Sequence, residues 1–280
     1  MSDAPDISAQ LGTAAPPDCL SHEDRAYLEE NAHRLNSVAD IWAAMDAEWH
    51  RLGANFDPGG EDAIAAFYRS PVWLLNGLFV ETDPESRGHR DAIAAHVSRL
   101  APRSAVDFGG GFGSLARRMA GALPAARVAL IEPFPHPLAR HLATAHPNLT
   151  IEANLNGLAD VIVAEDVLEH ATDPVGLTAT LVAHLPPGGR LIAANCFQPV
   201  IACHYPGAFH LHLTYRHVVA PLGLRFIGSV PGAPHAQLFQ RLESASDMAK
   251  ARRLEGWSRW AWPMLSRLRR VKRAMLGRKP

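Results

Sequence analysis

Between Leu28 and Met45 the apolar positions Leu28, Ala32, Leu35, Val38, Ile41 and Met45 recur at steps of three and four, the period of a helix with one buried face. Ser21, followed three residues later by Asp24, reads as a variant capping box, so helical structure is expected over residues 20–52. Shorter helical patterns occupy 61–68 and 87–100. After Pro102 the texture changes: the apolar runs 105–108, 127–131, 161–164 and 190–194 alternate with helical stretches. That alternation predicts an α/β fold with a parallel sheet and crossover helices. Two later runs, 224–230 and 236–242, flank Pro231, Gly232 and Pro234 and predict an antiparallel closing hairpin. Residues 1–18 carry Ala, Pro and Asp without periodicity and are expected to be disordered. The chain thus divides into a disordered 1–18, a helical cap and substrate lid at 19–101, a sheet domain at 102–245 and a basic amphipathic tail at 246–280.

The stretch AVDFGGGFGSLARRMA, residues 105–120, places Gly109, Gly110, Gly111 and Gly113 where the first strand hands over to a helix. Open α/β sheets bind ligands at this edge, and residues without Cβ let a ligand approach the main chain beside a helix N-terminus. Two fingerprints compete. A dinucleotide GxGxxG starting at Gly109 would need a small third residue at Ser114, whereas an acid two before GxGxG is met by Asp107, Gly109, Gly111 and Gly113. The second strand ends in Glu132, whose carboxylate is able to accept both hydroxyl protons of a ribose. DVIVAEDVLEHATDP at 160–174 and LPPGGRLIAAN at 185–195 follow.

These motifs, in this order, resemble the class I S-adenosylmethionine (SAM) dependent methyltransferases, over roughly residues 103–242. The resemblance implies a Rossmann-like seven-stranded sheet with SAM as cofactor. It also implies that the glycine turn lies against the amino acid part of SAM, with Asp107 orienting the turn and Glu165 and Asp166 at the site. The loop after strand three is short for this family, and Asn154, Leu155 and Asn156 are the adenine candidates. The resemblance specifies the acceptor poorly.

Methyl transfer to a hydroxyl asks the protein to hold the oxygen in line and to take its proton, a task suited to histidine. His170 closes DVLEH, and FHLHL at 209–213, read as an alternating strand, puts His210 and His212 on one face with Phe209, Leu211 and Leu213 buried on the other. His170, His210 and His212 are therefore the catalytic candidates. Asp166, Glu169 and His170 also form a DxxEH pattern similar to the ExxEH of metal-dependent O-methyltransferases, but no metal is assigned. Tyr68, Trp73, Asn76 and Phe79 in the cap either line the acceptor pocket or are core, and the reading favours core. The expected activity is O-methylation of a small metabolite or sugar unit. An NAD-dependent oxidoreductase, against which stands the absence of a YxxxK dyad, and a catalytically silent SAM-binding scaffold are the alternatives.

Composition adds two points. Three cysteines without a CxxC pair, and acids in place of a basic stretch at residues 1–6, read as an unexported, cytoplasmic chain. A net charge of −1 conceals an asymmetry: residues 250–280 hold 11 of the 27 Lys and Arg residues but only one acid, Glu255. The acidic body argues against nucleic acid. In the tail, Met264, Leu268, Val271 and Met275 form an apolar stripe among arginines behind three tryptophans, which suits either a membrane surface or docking on the protein's own acidic body or a partner.

Overall fold

The computed structural model describes residues 19–275; the expected disorder of 1–18 lies outside the described residues. Five helices come first: α1 (His22–Asn31), α2 (Val38–Arg51), α3 (Glu61–Arg69), α4 (Val72–Thr82) and α5 (Pro84–Arg99). Their starts are written in the sequence. Asp24 accepts the Ser21 amide at 2.7 Å while Ser21 Oγ accepts that of Asp24 at 3.0 Å, a reciprocal capping box. Ser37 caps α2, and Asp83 caps α5 ahead of Pro84 in the first turn, where a missing N–H costs nothing.

The strands β1 (Ser104–Phe108), β2 (Arg127–Ile131), β3 (Leu149–Glu152), β4 (Val161–Glu165) and β5 (Arg190–Ala194) are parallel. β6 (Leu224–Val230) and β7 (Ala233–Arg241) form the expected hairpin, with β7 antiparallel to β5. The order is β3-β2-β1-β4-β5-β7-β6, a Rossmann-like seven-stranded sheet. Five further α-helices follow among the described residues: α6 (Ser114–Ala122) after β1, α7 (Pro137–Ala143) after β2, α8 (Pro174–Ala183) after β4, α9 (Tyr215–Val218) after β5 and α10 (Met248–Met275) after the hairpin.

Three apolar clusters hold these layers. On one face of the sheet Ile93 and Val97 of α5 pack with Leu115 and Met119 of α6. On the other, Val175, Leu181 and Val182 of α8 pack with Ile162, Leu191 and Phe239. The third belongs to the cap: Leu28, Ile41, Met45, Trp49, Phe67, Leu75 and Leu78, joined by Phe112 from the glycine turn and Leu138 from α7.

One expected boundary shifts. α5 covers the sheet, so the cap ends near Asp83 and not at residue 101. The first half of the basic tail takes the docked reading: in α10 Ala251, Glu255, Ser258 and Ala261 are buried against the body, and Arg252 pairs with Asp173 at 2.5 Å. Met264, expected on the apolar stripe, is exposed, while the side chains of Leu268, Val271 and Met275 lie outside the described residues.

Gly77, inside α4, faces Phe112 so closely that an added Cβ would lie 2.5 Å from the ring. Alanine in a helix interior normally stabilises by about 0.5–1 kcal/mol, whereas overpacking costs about 1–3 kcal/mol. Gly77→Ala is therefore expected to lower stability in urea unfolding despite its better helix propensity; an unchanged or raised midpoint contradicts this packing.

Candidate active site

Between β1 and β4 successive connections leave the sheet in opposite directions, opening a crevice at the carboxyl ends of the strands. A cavity of about 1040 Å³ lies there. One wall is the glycine turn, the end of β2 and the start of its loop; the facing wall is the cap, from Val38 and Trp42 of α2 to Phe79 and Val80 of α4, with Ser86 and Arg90 of α5 beside it.

The glycines serve different ends. Asp107, buried, accepts the Ala116 amide of α6 at 2.9 Å, and a Cβ at Gly110 would overlap that carboxylate. Room at Gly110 is thus needed by the protein itself. Gly111 adopts φ +51°, a region L side chains seldom enter, and a Cβ there would meet nothing within 4 Å. Its open side is where a ligand can touch backbone. A Cβ at Gly109 would press Val167, and Gly113 starts α6 without lining the cavity. Burial pushes the Asp107 carboxyl up to about 7 against the opposing pull of Arg90, and its Oδ1 has no hydrogen-bond partner.

Glu132 lines the cavity with its carboxylate fixed from behind: Oε2 accepts the Gly111 amide and Oε1 the Phe134 amide, both at 3.0 Å. Each oxygen retains a second lone pair for a diol. Burial raises its pKa. Asn154 and Leu155 also line the cavity, but Asn156 does not and instead bonds the Asn154 carbonyl. Glu165 and Asp166 line it at the end of β4, where burial raises the pKa of Glu165 although Arg90 Nε stands 3.4 Å away. Asp166 has φ +53° and donates its amide to Ala194 at 2.8 Å. Arg90 was invisible to motif reading, being one arginine in an ordinary helical stretch.

Of the three histidines, only His170 lines the cavity. Its Nδ1 donates to the Cys203 carbonyl at 3.0 Å, which fixes the tautomer and leaves Nε2 as the lone-pair nitrogen. Burial and the neighbouring His204 bring its pKa down to about 3, so it is neutral at working pH. The alternating strand expected for 209–213 is instead a 3₁₀ helix, Pro206–His212, started by Pro206. That changes which residues face inward: His210 is buried, its Nδ1 2.9 Å from Ser258 Oγ of α10, while Leu213 is exposed. Neither His210 nor His212 lines the cavity. Glu169 is turned away too, accepting the Cys196 amide at 2.6 Å, and among the described residues no three His, Cys, Asp or Glu side chains are grouped to hold a metal.

Tyr68, Trp73, Asn76 and Phe79, expected mainly as core, all line the cavity. Tyr68 and Trp73 stack with centroids 5.2 Å apart, each with its ring centroid 6.4 Å from that of His170 and steeply inclined to it, and form an aromatic wall. Arg69 lies over the Phe134 ring at 4.5 Å, bridging cap and β2 loop.

An acid whose pKa is raised on folding holds its proton in the native state after the unfolded chain has lost it, so Asp107 costs stability as pH climbs from about 4 to about 7. Asp107→Asn keeps an acceptor for Ala116 and removes this loss. Urea unfolding should show a flatter pH dependence for the variant and, at pH 8, stability no lower than the parent; an unaltered pH slope rejects the assignment.

Comparison with known proteins agrees with this geometry. A family model described as a methyltransferase domain matches residues 86–254, which includes α5 and the start of α10. None of the curated proteins matches the sequence. Among solved structures, human N-acetylserotonin methyltransferase in complex with SAM is 18% identical, with TM-score 0.50 over 85% of this chain and 75% of that one. A candidate O-methyltransferase from Nostoc punctiforme is 15% identical, with TM-score 0.51 over 75% of this chain and 71% of that one. The matched majority of the sequence, the strand order and the glycine turn beside Asp107 together place this chain in the methyltransferase domain family, with the Rossmann-like fold of the class I SAM-dependent enzymes.

Proposed function

We propose that this protein transfers the methyl group of SAM to a hydroxyl on a small, ring-bearing acceptor, with His170 taking the hydroxyl proton. The observation that carries the reading is a neutral imidazole, held in one tautomer by Cys203, on a cavity whose walls are the glycine turn and a stacked Tyr68–Trp73 pair. The residues present fit SAM: Gly111 offers open backbone, Glu132 a diol acceptor, Asn154 and Leu155 an adenine wall, and Arg90 with Glu165 a charged pair near the amino acid end. When bound, SAM supplies an electrophilic methyl group whose positive charge disappears on transfer. Everything else the chain must do is orient an oxygen and accept a proton.

The position of His170 on the basicity scale narrows the acceptor. Burial and the neighbouring His204 hold its pKa well below that of a free imidazole, so it is a weak base. Such a weak base suits an acidic, phenol-type hydroxyl better than the alcohol of a sugar. The aromatic wall suits the same kind of ring. Two structures sharing the fold are named as methyltransferases, one solved with SAM and the other a candidate O-methyltransferase, which supports the reading.

Calorimetry should show binding of SAM and S-adenosylhomocysteine, lost in Gly111→Arg, where the new side chain fills ligand space; binding of NAD with none of SAM sinks the proposal. With a panel of phenolic acceptors, His170→Ala should lower turnover by roughly a hundredfold or more at nearly unchanged SAM affinity. His210→Ala, by contrast, should cost about 1–2 kcal/mol of stability through the lost Ser258 bond and leave turnover per folded enzyme alone. Equal turnover in the parent and His170→Ala removes His170 from the chemistry.

A further inference from the structure

The outer face of α10 has no role in the cavity. Its inner face is fixed to the body by Arg252 on Asp173, by Ser258 on His210, and by burial of Ala251 and Ala261. Opposite that face Lys250, Arg253, Trp257, Trp260, Met264 and Arg267 run along the helix at steps of three and four. Trp257 is 64% exposed, Trp260 74% and Met264 56%. The two indoles stand side by side, centroids 6.1 Å apart. Trp257, Trp260 and Met264 stand in water while Ala251, Ser258 and Ala261 are buried, which inverts the usual order.

We propose that α10 is a membrane-docking helix, seating the enzyme peripherally on a bilayer that contains anionic lipid. The charge pattern selects this occupant. The one acid of α10, Glu255, is buried and held by Arg252 at 2.8 Å and Arg259 at 2.8 Å, so the outer stripe carries only positive charge. The sequence continues in the same sense with Arg269, Arg270, Lys272 and Arg273. A second copy docking by this face in a two-fold dimer would meet an identical basic stripe and be repelled. An anionic headgroup layer attracts it instead, and indoles settle at the boundary between headgroups and acyl chains. Lipid thus satisfies both the cationic and the apolar members of one stripe. No described helix alone is long and apolar enough to cross a membrane, so the contact lies in the surface plane.

The test is co-sedimentation of the full chain with phosphatidylcholine vesicles, with and without one quarter phosphatidylglycerol, in 50 mM and 500 mM salt. Binding is expected on the anionic vesicles at low salt and should fall about tenfold or more on raising salt or omitting phosphatidylglycerol. Trp257→Ala with Trp260→Ala, and separately Lys250→Glu with Arg253→Glu, should each weaken vesicle binding about tenfold or more. SAM affinity measured by calorimetry reports that each variant is folded, since none of these residues lines the cavity. No sedimentation of the intact chain at low salt overturns the proposal, as does equal binding by folded variants. A dimer in analytical ultracentrifugation that the indole variant dissociates, without vesicle binding, assigns the face to a second copy; binding to RNA homopolymer in place of vesicles assigns it to nucleic acid. Either result rejects the membrane.

Discussion

The architecture of the carboxyl edge depends on one buried hydrogen bond, from the Ala116 amide to the carboxylate of Asp107. It ties the first helical turn of α6 to the strand only nine residues upstream, so the chain between them is compressed over the carboxylate. Gly110 must lack a side chain because Asp107 occupies that space, and Gly111 is thereby turned outward at φ +51° to the cavity. The glycine cluster therefore first accommodates the protein and only then a ligand. Holding a carboxylate in so dry a place is costly, which is why its proton is retained to about pH 7 even with Arg90 nearby. A cationic ligand entering beside Asp107 and Glu165 offsets that cost.

The cap is held to the same helix. Glu81, at the end of α4, accepts Ser114 Oγ at 2.5 Å and pairs with Arg117 and with Arg118 at 3.3 Å. Phe112 inserts from the glycine turn against Gly77, and Arg69 reaches across to Phe134. Charge pairs at the surface are weak, but Glu81 and Arg117 are both largely buried, and removing either partner would leave the other charged and dry. The glycine turn and the aromatic wall of the cap are thus positioned by shared contacts. In-line transfer needs the two substrates aligned to a fraction of an ångström, and a common support provides that alignment.

How much of this the sequence discloses follows from which forces leave a local trace. The sheet is legible because each buried parallel strand is a short continuous apolar run, and its edges carry Gly, Pro and Asp. Asp107, Gly111 and Glu132 are legible because backbone constraint, and in the proposed function the recognition of a diol, demand particular residue types at fixed spacing. α5 misleads, since a helix covering a sheet and a helix in a cap share one periodicity. Arg90 and Arg69 leave no trace, because an arginine is common on any helix and only the fold brings these two to the cavity.

α10 shows the limit most sharply. Amphipathicity assigns the inner face of a helix to its large apolar residues, here Met264 among them, yet the docked face consists of Ala251, Glu255, Ser258 and Ala261. Small residues let the helix lie close to the 3₁₀ turn Pro206–His212, and that proximity, not apolar area, makes the Ser258–His210 hydrogen bond possible. The misassignment of His210 has the same origin. Its partner is 48 residues away on an element whose orientation cannot be inferred from hydrophobic pattern, so an alternating strand was the simplest local reading of FHLHL. Once α10 covers the turn, His210 is committed to structure, and of His170, His210 and His212 only His170 lines the cavity, its tautomer fixed from behind.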